Sequence, residues 1–472
     1  MKTTTMSLAI LCTAAGMVFG VAQGPQYPFP QNVKYPYGFS QDIIDSDHVQ
    51  AWYESMKTKY LQTCSNNSIR PGVSPLSKSL VEAQGFIMIA AAYMGDKETF
   101  DKLYTYYKSR CSNEGCGFMG WKQIGCDTHE DRGSASDGDI DVACGLVVAN
   151  WQWPDQGYES KATELINNLE RIIVSCSNGV QAICGGCSNG NAWGGCNETD
   201  ISYYEPAFFR EFAKLSGNDM WDKLADDTHK IRDAAANQTT GLVPDWQSVS
   251  GTAGAGSRVG YYGFDAIRAP YKQALDYLWN GNEEALAWCK KITTWAHGYG
   301  VDKLKDGFQL NGTIQGSNHN LAIVGSLAVA AMANSQDILD DFARESKKLN
   351  DDFWYSGYLG NLYLLALSGN MWTPEIVEAN QVNAKGKNMS HSLTDKDVHI
   401  TTIARRAITI RSLNAGTTVS LTTLDGQQIV SMTTTVEKSA SINIAQLRRG
   451  CYLLNVTDRQ GKRQTRKVIA LL

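Results

Sequence analysis

The chain has 472 residues, with 43 Lys and Arg against 48 Asp and Glu and a formal net charge of −5 at pH 7. That length holds one large domain and a small one, and 43% hydrophobic residues is ordinary for a globular core. No nucleic-acid partner is expected of so acidic a chain, and no segment is apolar for long enough to span a membrane. Aromatic residues stand at 10%, with 12 Trp and 21 Tyr. Such a surplus suits either an aromatic core or a surface that stacks on sugar rings.

Residues 1–22 read as a signal peptide. Lys2 supplies the positive start, an apolar run follows from Met6 to Val18, and Gly20 and Ala22 mark a cleavage site after Ala22. The mature protein is expected to be secreted or attached to the cell surface.

From residue 23 to 377, apolar helical runs alternate with Gly- and Asn-rich loops. The spacing predicts helices over 81–94, 97–108, 141–151, 161–175, 205–216, 220–237, 269–279, 283–299, 317–333 and 359–368. A closed ring of paired helices fits this list. A parallel α/β sheet does not, because its buried strands are missing. Between these runs lie Cys111, Cys116 and Cys126, then Cys176, Cys184, Cys187 and Cys196, which read as disulfide staples of an exported protein. Zinc is the rival reading of Cys184-Gly-Gly-Cys187, without a second CxxC or a His pair at finger spacing. Cys144 and Cys289, in apolar helical settings, are candidates for free thiols.

Three acidic positions stand out. Glu82 opens an apolar helix among Leu80, Val81, Phe86, Ile87 and Met88. Partial desolvation there would raise its pKa, as a general acid requires, although a Glu in a first helical turn is also favoured by the helix dipole. Asp137, Asp139 and Asp141 precede the next apolar run at alternate positions. Helix capping is one plain reading. A calcium loop is another, but Val142 and Val148 stand where an EF-hand needs Gly and Glu. Asp265 lies three residues before Arg268 among Tyr261, Tyr262 and Phe264, either a base kept ionised by a guanidinium or a surface ion pair. Taken together, Glu82 expected to be held protonated and Asp265 expected to be held charged suggest the division of roles usual in acid/base pairs of sugar hydrolysis. GxSxG, HExxH, phosphate-loop and dinucleotide motifs are absent, so no cofactor or metal is expected.

Residues 378–400 are polar and aperiodic and read as a linker. Residues 401–472 turn to alternating Thr, Val and Ile, the pattern of strands. They carry 11 Lys and Arg against three Asp and Glu, which leaves the first 400 residues at −13.

Several segments resemble glycoside hydrolase family 8. Ala135 to Trp153 is similar to that family's signature throughout, with small departures at Val142 and Gly145. Glu82-Ala-Gln-Gly-Phe-Ile-Met88 resembles its acid-bearing stretch, with Ala83 and Ile87 where the family has Gly. Ser202–Ala207, Gly241–Trp246, Phe264–Pro270 and Tyr358–Trp372 also resemble family segments. The resemblance implies an (α/α)6 barrel that hydrolyses a β-1,4-linked polysaccharide with inversion. Cellulose-type or mixed-linkage glucan attacked internally is the favoured substrate; xylan, cut by a xylanase or an exo-oligoxylanase, is the alternative, and Asp265 argues against chitosan. A non-catalytic polysaccharide-binding protein would have been free to lose Glu82 or Asp265. Position by position, the resemblance implies Glu82 as acid, Asp265 as base and Asp137 at the cleaved sugar. Tyr203 would orient the water, Arg268 would support Asp265, Trp121 and Trp193 would stack on sugar rings, and Asp139 would join the substrate-binding set. The tail, through Leu424-Asp-Gly-Gln-Gln, Leu447-Arg-Arg-Gly-Cys-Tyr452 and Arg466-Lys-Val-Ile469, resembles the C-terminal sorting domains of Bacteroidetes-type secretion. That implies a small all-β sandwich read by the secretion machinery; a β-sandwich carbohydrate-binding module is the alternative, but residues 401–472 have no Trp and one Tyr to offer a sugar. A monomer is expected.

Overall fold

The computed structural model describes residues 24–351, 353–388, 399–404, 407–413, 418–423, 427–433, 438–443, 450–457 and 463–470. The chain divides into two compact units, residues 1–384 and 385–472. The division falls within the polar stretch read as a linker. A helix, Pro374–Asn388, covers the first part of that stretch, while residues 389–398 and the expected signal peptide lie outside the described residues.

Along the first unit run α1 (Ser46–Tyr60), α2 (Val81–Tyr93), α3 (Lys97–Ser109), α4 (Ser136–Gln152), α5 (Tyr158–Leu169) and α6 (Pro206–Ser216). There follow α7 (Met220–Ala235), α8 (Ala269–Asn280), α9 (Glu283–Tyr299), α10 (Leu321–Ala331), α11 (Gln336–Lys348) and α12 (Trp354–Leu367). Helices α2, α10 and α12 are apolar on almost every side. All of α10 is buried, as is α12 after Trp354 and α2 apart from Glu82. A helix apolar all round must have protein on every side, whereas α1, α3 and α11 bury one stripe and turn a charged face outward. Neighbour contacts run from α2 to α4, α6, α8, α10 and α12, and α12 packs in turn on α2.

Local chemistry sets the helix starts. Asp45, Asp96, Asn282 and Asn320 cap α1, α3, α9 and α10 by accepting first-turn backbone N–H groups. Besides Pro374–Asn388, two helices were not expected from the sequence. In α1, Val49, Trp52, Tyr53, Met56 and Tyr60 keep helical spacing; in α11 the polar residues outnumber a stripe of only Leu339, Phe342 and Ala343. The helix expected over 161–175 ends at Leu169. The strand Ile173–Ser175, with β-branched Ile173 and Val174, pairs with Gln181–Ser188, which also pairs with Asn191–Gly194. A second small antiparallel sheet joins Lys78–Leu80, Lys122–Ile124 and Thr128–Asp131.

Disulfides Cys64–Cys126, Cys116–Cys187 and Cys176–Cys196 staple these loops and hairpins. Cys111 and Cys184, expected among the staples, are free thiols, as are buried Cys144 and Cys289. Cys64, 62 residues from Cys126, takes a place that sequence spacing assigned to nearer cysteines. Beyond Asn388 the described residues of the second unit form β-strands. Strands Gln428–Thr433, Thr418–Thr423, Gly450–Thr457 and Arg463–Ala470 form one antiparallel sheet, with Val419 and Leu421 buried at alternate positions. His399–Ala404, Ala407–Leu413 and Lys438–Asn443 form another. Among the described residues, no helix is long and apolar enough to cross a membrane.

Candidate active site

Helices α2 and α4 approach so closely that glycine is required between them. A Cβ on Gly85 would stand 2.4 Å from the Cβ of Asp141, and one on Gly138 would stand 2.4 Å from the carbonyl carbon of Val81. That approach brings Glu82, in the first turn of α2, beside Asp137, in the first turn of α4. The departures at Ala83 and Ile87 leave this crossing intact, because Gly85, Gly138 and Gly145 make the contacts.

One guanidinium ties the site together. Arg268, wholly buried ahead of α8, donates through Nη1 to Glu82 Oε1 at 2.6 Å and to Asp137 Oδ2 at 2.7 Å. Its Nη2 donates to Asp265 Oδ1 at 3.0 Å. Asp265 Oδ2 accepts from Trp246 Nε1 at 3.1 Å, so both its oxygens are engaged by donors. The ring of Tyr203 faces the same guanidinium, 5.7 Å from Cζ. Three carboxylates share one cation, and full ionisation would leave an excess of buried negative charge. Glu82 absorbs the excess. Burial raises its pKa to about 8 against the pull of Arg268, and Asp137, Asp265 and Asp141 push it further up. Behind Asp265, burial followed by the Asp265 charge raises Asp245 to about 8 and lifts Asp200 well up.

Asp137 keeps one oxygen, Oδ1, buried and without a protein partner among the described residues. Asp139 does not join the site. It is fully buried, accepts from Tyr107 Oη at 2.7 Å and from the Met119 backbone N–H at 3.2 Å, and is pushed well up by burial. The reason is the helix boundary. Since α4 begins at Ser136 rather than after the aspartates, residues 137 and 139 point to different sides, and 137 and 141 share one.

Aromatic rings surround the carboxylates. Trp193, half-buried, stacks beside Trp246 with centroids 5.8 Å apart and planes 21° apart, and rests on the backbone at Gly185. The Arg258 guanidinium lies over both indoles at 4.8 and 4.9 Å. Trp121 is 37% exposed, and its carbonyl accepts the N–H of Val81 beside Glu82. Phe264, next to Asp265, is 48% exposed and packs edge-on against Phe353 and Tyr355. The structure therefore gathers Glu82, Asp137, Asp265, Arg268 and Tyr203, with Trp193 tied in through Trp246. Sequence reasoning passed over Trp246, Asp245 and Asp200. The first two end the Gly241–Trp246 segment, and that segment was the available signal.

Residues 27–373 match the model of glycosyl hydrolases family 8, and residues 404–470 match that of the secretion system C-terminal sorting domain. The chain is 31% identical over 383 residues to Endoglucanase C of Ruminiclostridium cellulolyticum, covering 77% of this chain and 80% of that protein. It is 29% identical over 397 residues to a Beta-glucanase of Niallia circulans, covering 78% and 95%. Among solved structures, the apo Beta-1,3-1,4-glucanase from Paenibacillus sp. X4 superposes with a TM-score of 0.66 at 26% identity, covering 74% of this chain and all of that one. A xylobiose complex from Teredinibacter turnerae, at 20% identity and a TM-score of 0.61 over 71% and 97%, shares the fold.

Proposed function

The chain belongs to glycosyl hydrolases family 8 and is an exported glycosidase, and from that premise we propose that it cleaves β-1,4-linked glucan internally, with inversion. The observation that carries this reading is the single guanidinium of Arg268 joining Glu82, Asp137 and Asp265. Glu82 enters protonated and gives its proton to the glycosidic oxygen as the C1–O bond breaks. Asp265 takes a proton from a water that attacks C1 from the opposite face, so the proton lost by the acid is matched by one gained by the base. Because both oxygens rest on one guanidinium, their separation has an upper bound of about 8 Å, which is compatible with the range of inverting enzymes.

Arg268 contributes most after the proton has left. The new Glu82 carboxylate forms 2.6 Å from a buried cation, so stabilisation grows along the reaction coordinate. Asp137, with Oδ1 unpaired, binds a hydroxyl of the cleaved sugar. Tyr203, packed on Arg268 and Trp246, orients the water. Trp121 and Trp193 stack on flanking sugars. Asp139 has no part in binding.

The cycle of neighbours through α2, α4, α6, α8, α10 and α12 supports an (α/α)6 barrel over residues 23–377. A connector over 378–400 and a β-sandwich over 401–472, read by the secretion machinery, complete the chain. The enzyme acts as a monomer without a cofactor. Proton NMR of a fresh digest of soluble β-glucan tests the whole reading. Initial release of the α-anomer is expected; initial β-anomer, or no hydrolysis, overturns it.

A further inference from the structure

One helical turn below the reacting carboxylates lies a second charged layer with no place in the mechanism. Asp141 follows Asp137 by four residues on α4, and Lys272 follows Arg268 by four at the start of α8, so each continues the same face downward. Lys272 Nζ lies 3.3 Å from Asp141 Oδ1 and 2.7 Å from Glu205 Oε1. Glu205 immediately precedes α6 and follows Tyr203 by two residues. All three residues are fully buried. The layer thus joins the elements that carry Asp137, Tyr203 and Arg268.

Its charges do not balance. Two carboxyl groups meet one ammonium, and full ionisation would bury an uncompensated negative charge, which proteins avoid by binding a proton. Glu205 Oε2 and Asp141 Oδ2 are both buried beside this one ammonium, and neither has a hydrogen-bond partner among the described residues, so a proton shared between the two carboxyl groups would satisfy both. We infer that Glu205 is a neutral carboxylic acid that donates to Asp141 while its other oxygen rests on Lys272, and that this clasp is a positioning device for Tyr203, Asp137 and Arg268. Burial pushes Glu205 up to about 8 against the pull of Lys272, in keeping with this assignment. The other titratable groups nearby are Asp137 and Cys144 on α4, Arg268 and Tyr271 around the start of α8, Glu82 and Tyr93 on α2 and Tyr363 on α12. None supplies a second cation to the layer itself, since Arg268 is engaged by the three carboxylates above.

The positioning role rests on the catalytic assignment, whereas the charge count does not, so the two can fail separately. Infrared difference spectra of the full-length enzyme near neutral pH read the charge count, using the carbonyl stretch of a protonated carboxyl in a Glu82→Gln background. Glu205→Gln should remove one such band. Asp141→Asn should remove it as well with Glu205 still present, because one carboxyl then faces one ammonium and ionises. A band that survives either change overturns the protonation state. Hydrolysis reads the positioning with Glu82 intact. Glu205→Gln, which keeps a donor and an acceptor, should hold kcat within about threefold, whereas Glu205→Ala should lower kcat roughly 100-fold with little change in KM, as small displacements of reacting groups do. A folded Glu205→Gln enzyme as impaired as Glu205→Ala would show that the charge of Glu205 is needed, and would overturn the proposal.

Discussion

Replacing Arg268 by Lys should slow hydrolysis and move its alkaline limit upward. The guanidinium makes three charged hydrogen bonds, at 2.6, 2.7 and 3.0 Å, from two nitrogens set in a rigid plane. A lysine ammonium is a single point on a differently shaped stem and cannot occupy both positions. With one point charge facing three carboxyl groups, the 2.6 Å contact with Glu82 is the one expected to be lost. A hydrogen bond between charged groups is worth about 1.5–3 kcal/mol, which predicts a fall in kcat of roughly 10- to 150-fold if the loss is felt in the transition state. The pH effect has a definite sign. Glu82 must be protonated to act as acid and its pKa is raised to about 8, so wild-type activity falls as pH rises through about 8. Arg268 is the main influence holding that pKa down. Drawing the cation away lets it rise, and the alkaline limb follows. Initial rates of reducing-sugar release from soluble β-glucan, measured from pH 5 to 10, give both quantities. A kcat within about threefold of wild type, or a limb displaced downward, would refute the assignment of Arg268 as the group that stabilises the Glu82 carboxylate.

Glu82→Gln should lower kcat by about 10²–10⁴-fold and abolish the limb near pH 8, while oligosaccharide affinity measured by calorimetry stays near wild type. Trp193→Ala should weaken binding of a long oligosaccharide by roughly 1–3 kcal/mol, as loss of a stacking ring does; unchanged affinity with a large fall in Tm would make Trp193 a packing residue only. Gly138→Ala should destabilise the fold by about 1–3 kcal/mol in denaturant titration, because the new methyl would meet Val81 backbone at 2.4 Å and force α2 from α4. Removing residues 386–472 should leave kcat on soluble substrate unchanged, and loss of the cooperative melt of the remaining unit would refute that independence.

Much of this protein was legible along the chain because the relevant signals are local. The change from helical spacing to alternation near residue 401, with its jump in positive charge, marks the second unit. Glu82, Asp137 and Asp265 each stand out against apolar or aromatic neighbours. Asp139 shows where local reading stops: moving the first turn of α4 to Ser136 rotates that side chain away from Asp137 and into contact with Tyr107. The disulfide partners were likewise undetermined, since Cys64 and Cys126 meet through chain reversal rather than proximity in sequence. The electrostatics belong to tertiary structure outright. Arg268 reaches Glu82 across 186 residues and Asp137 across 131, while Lys272 meets Asp141 across 131. A pKa depends on every charge and every absent water within a few ångströms, so only the packing of α2, α4 and α8 decides that Glu82 holds a proton at neutral pH.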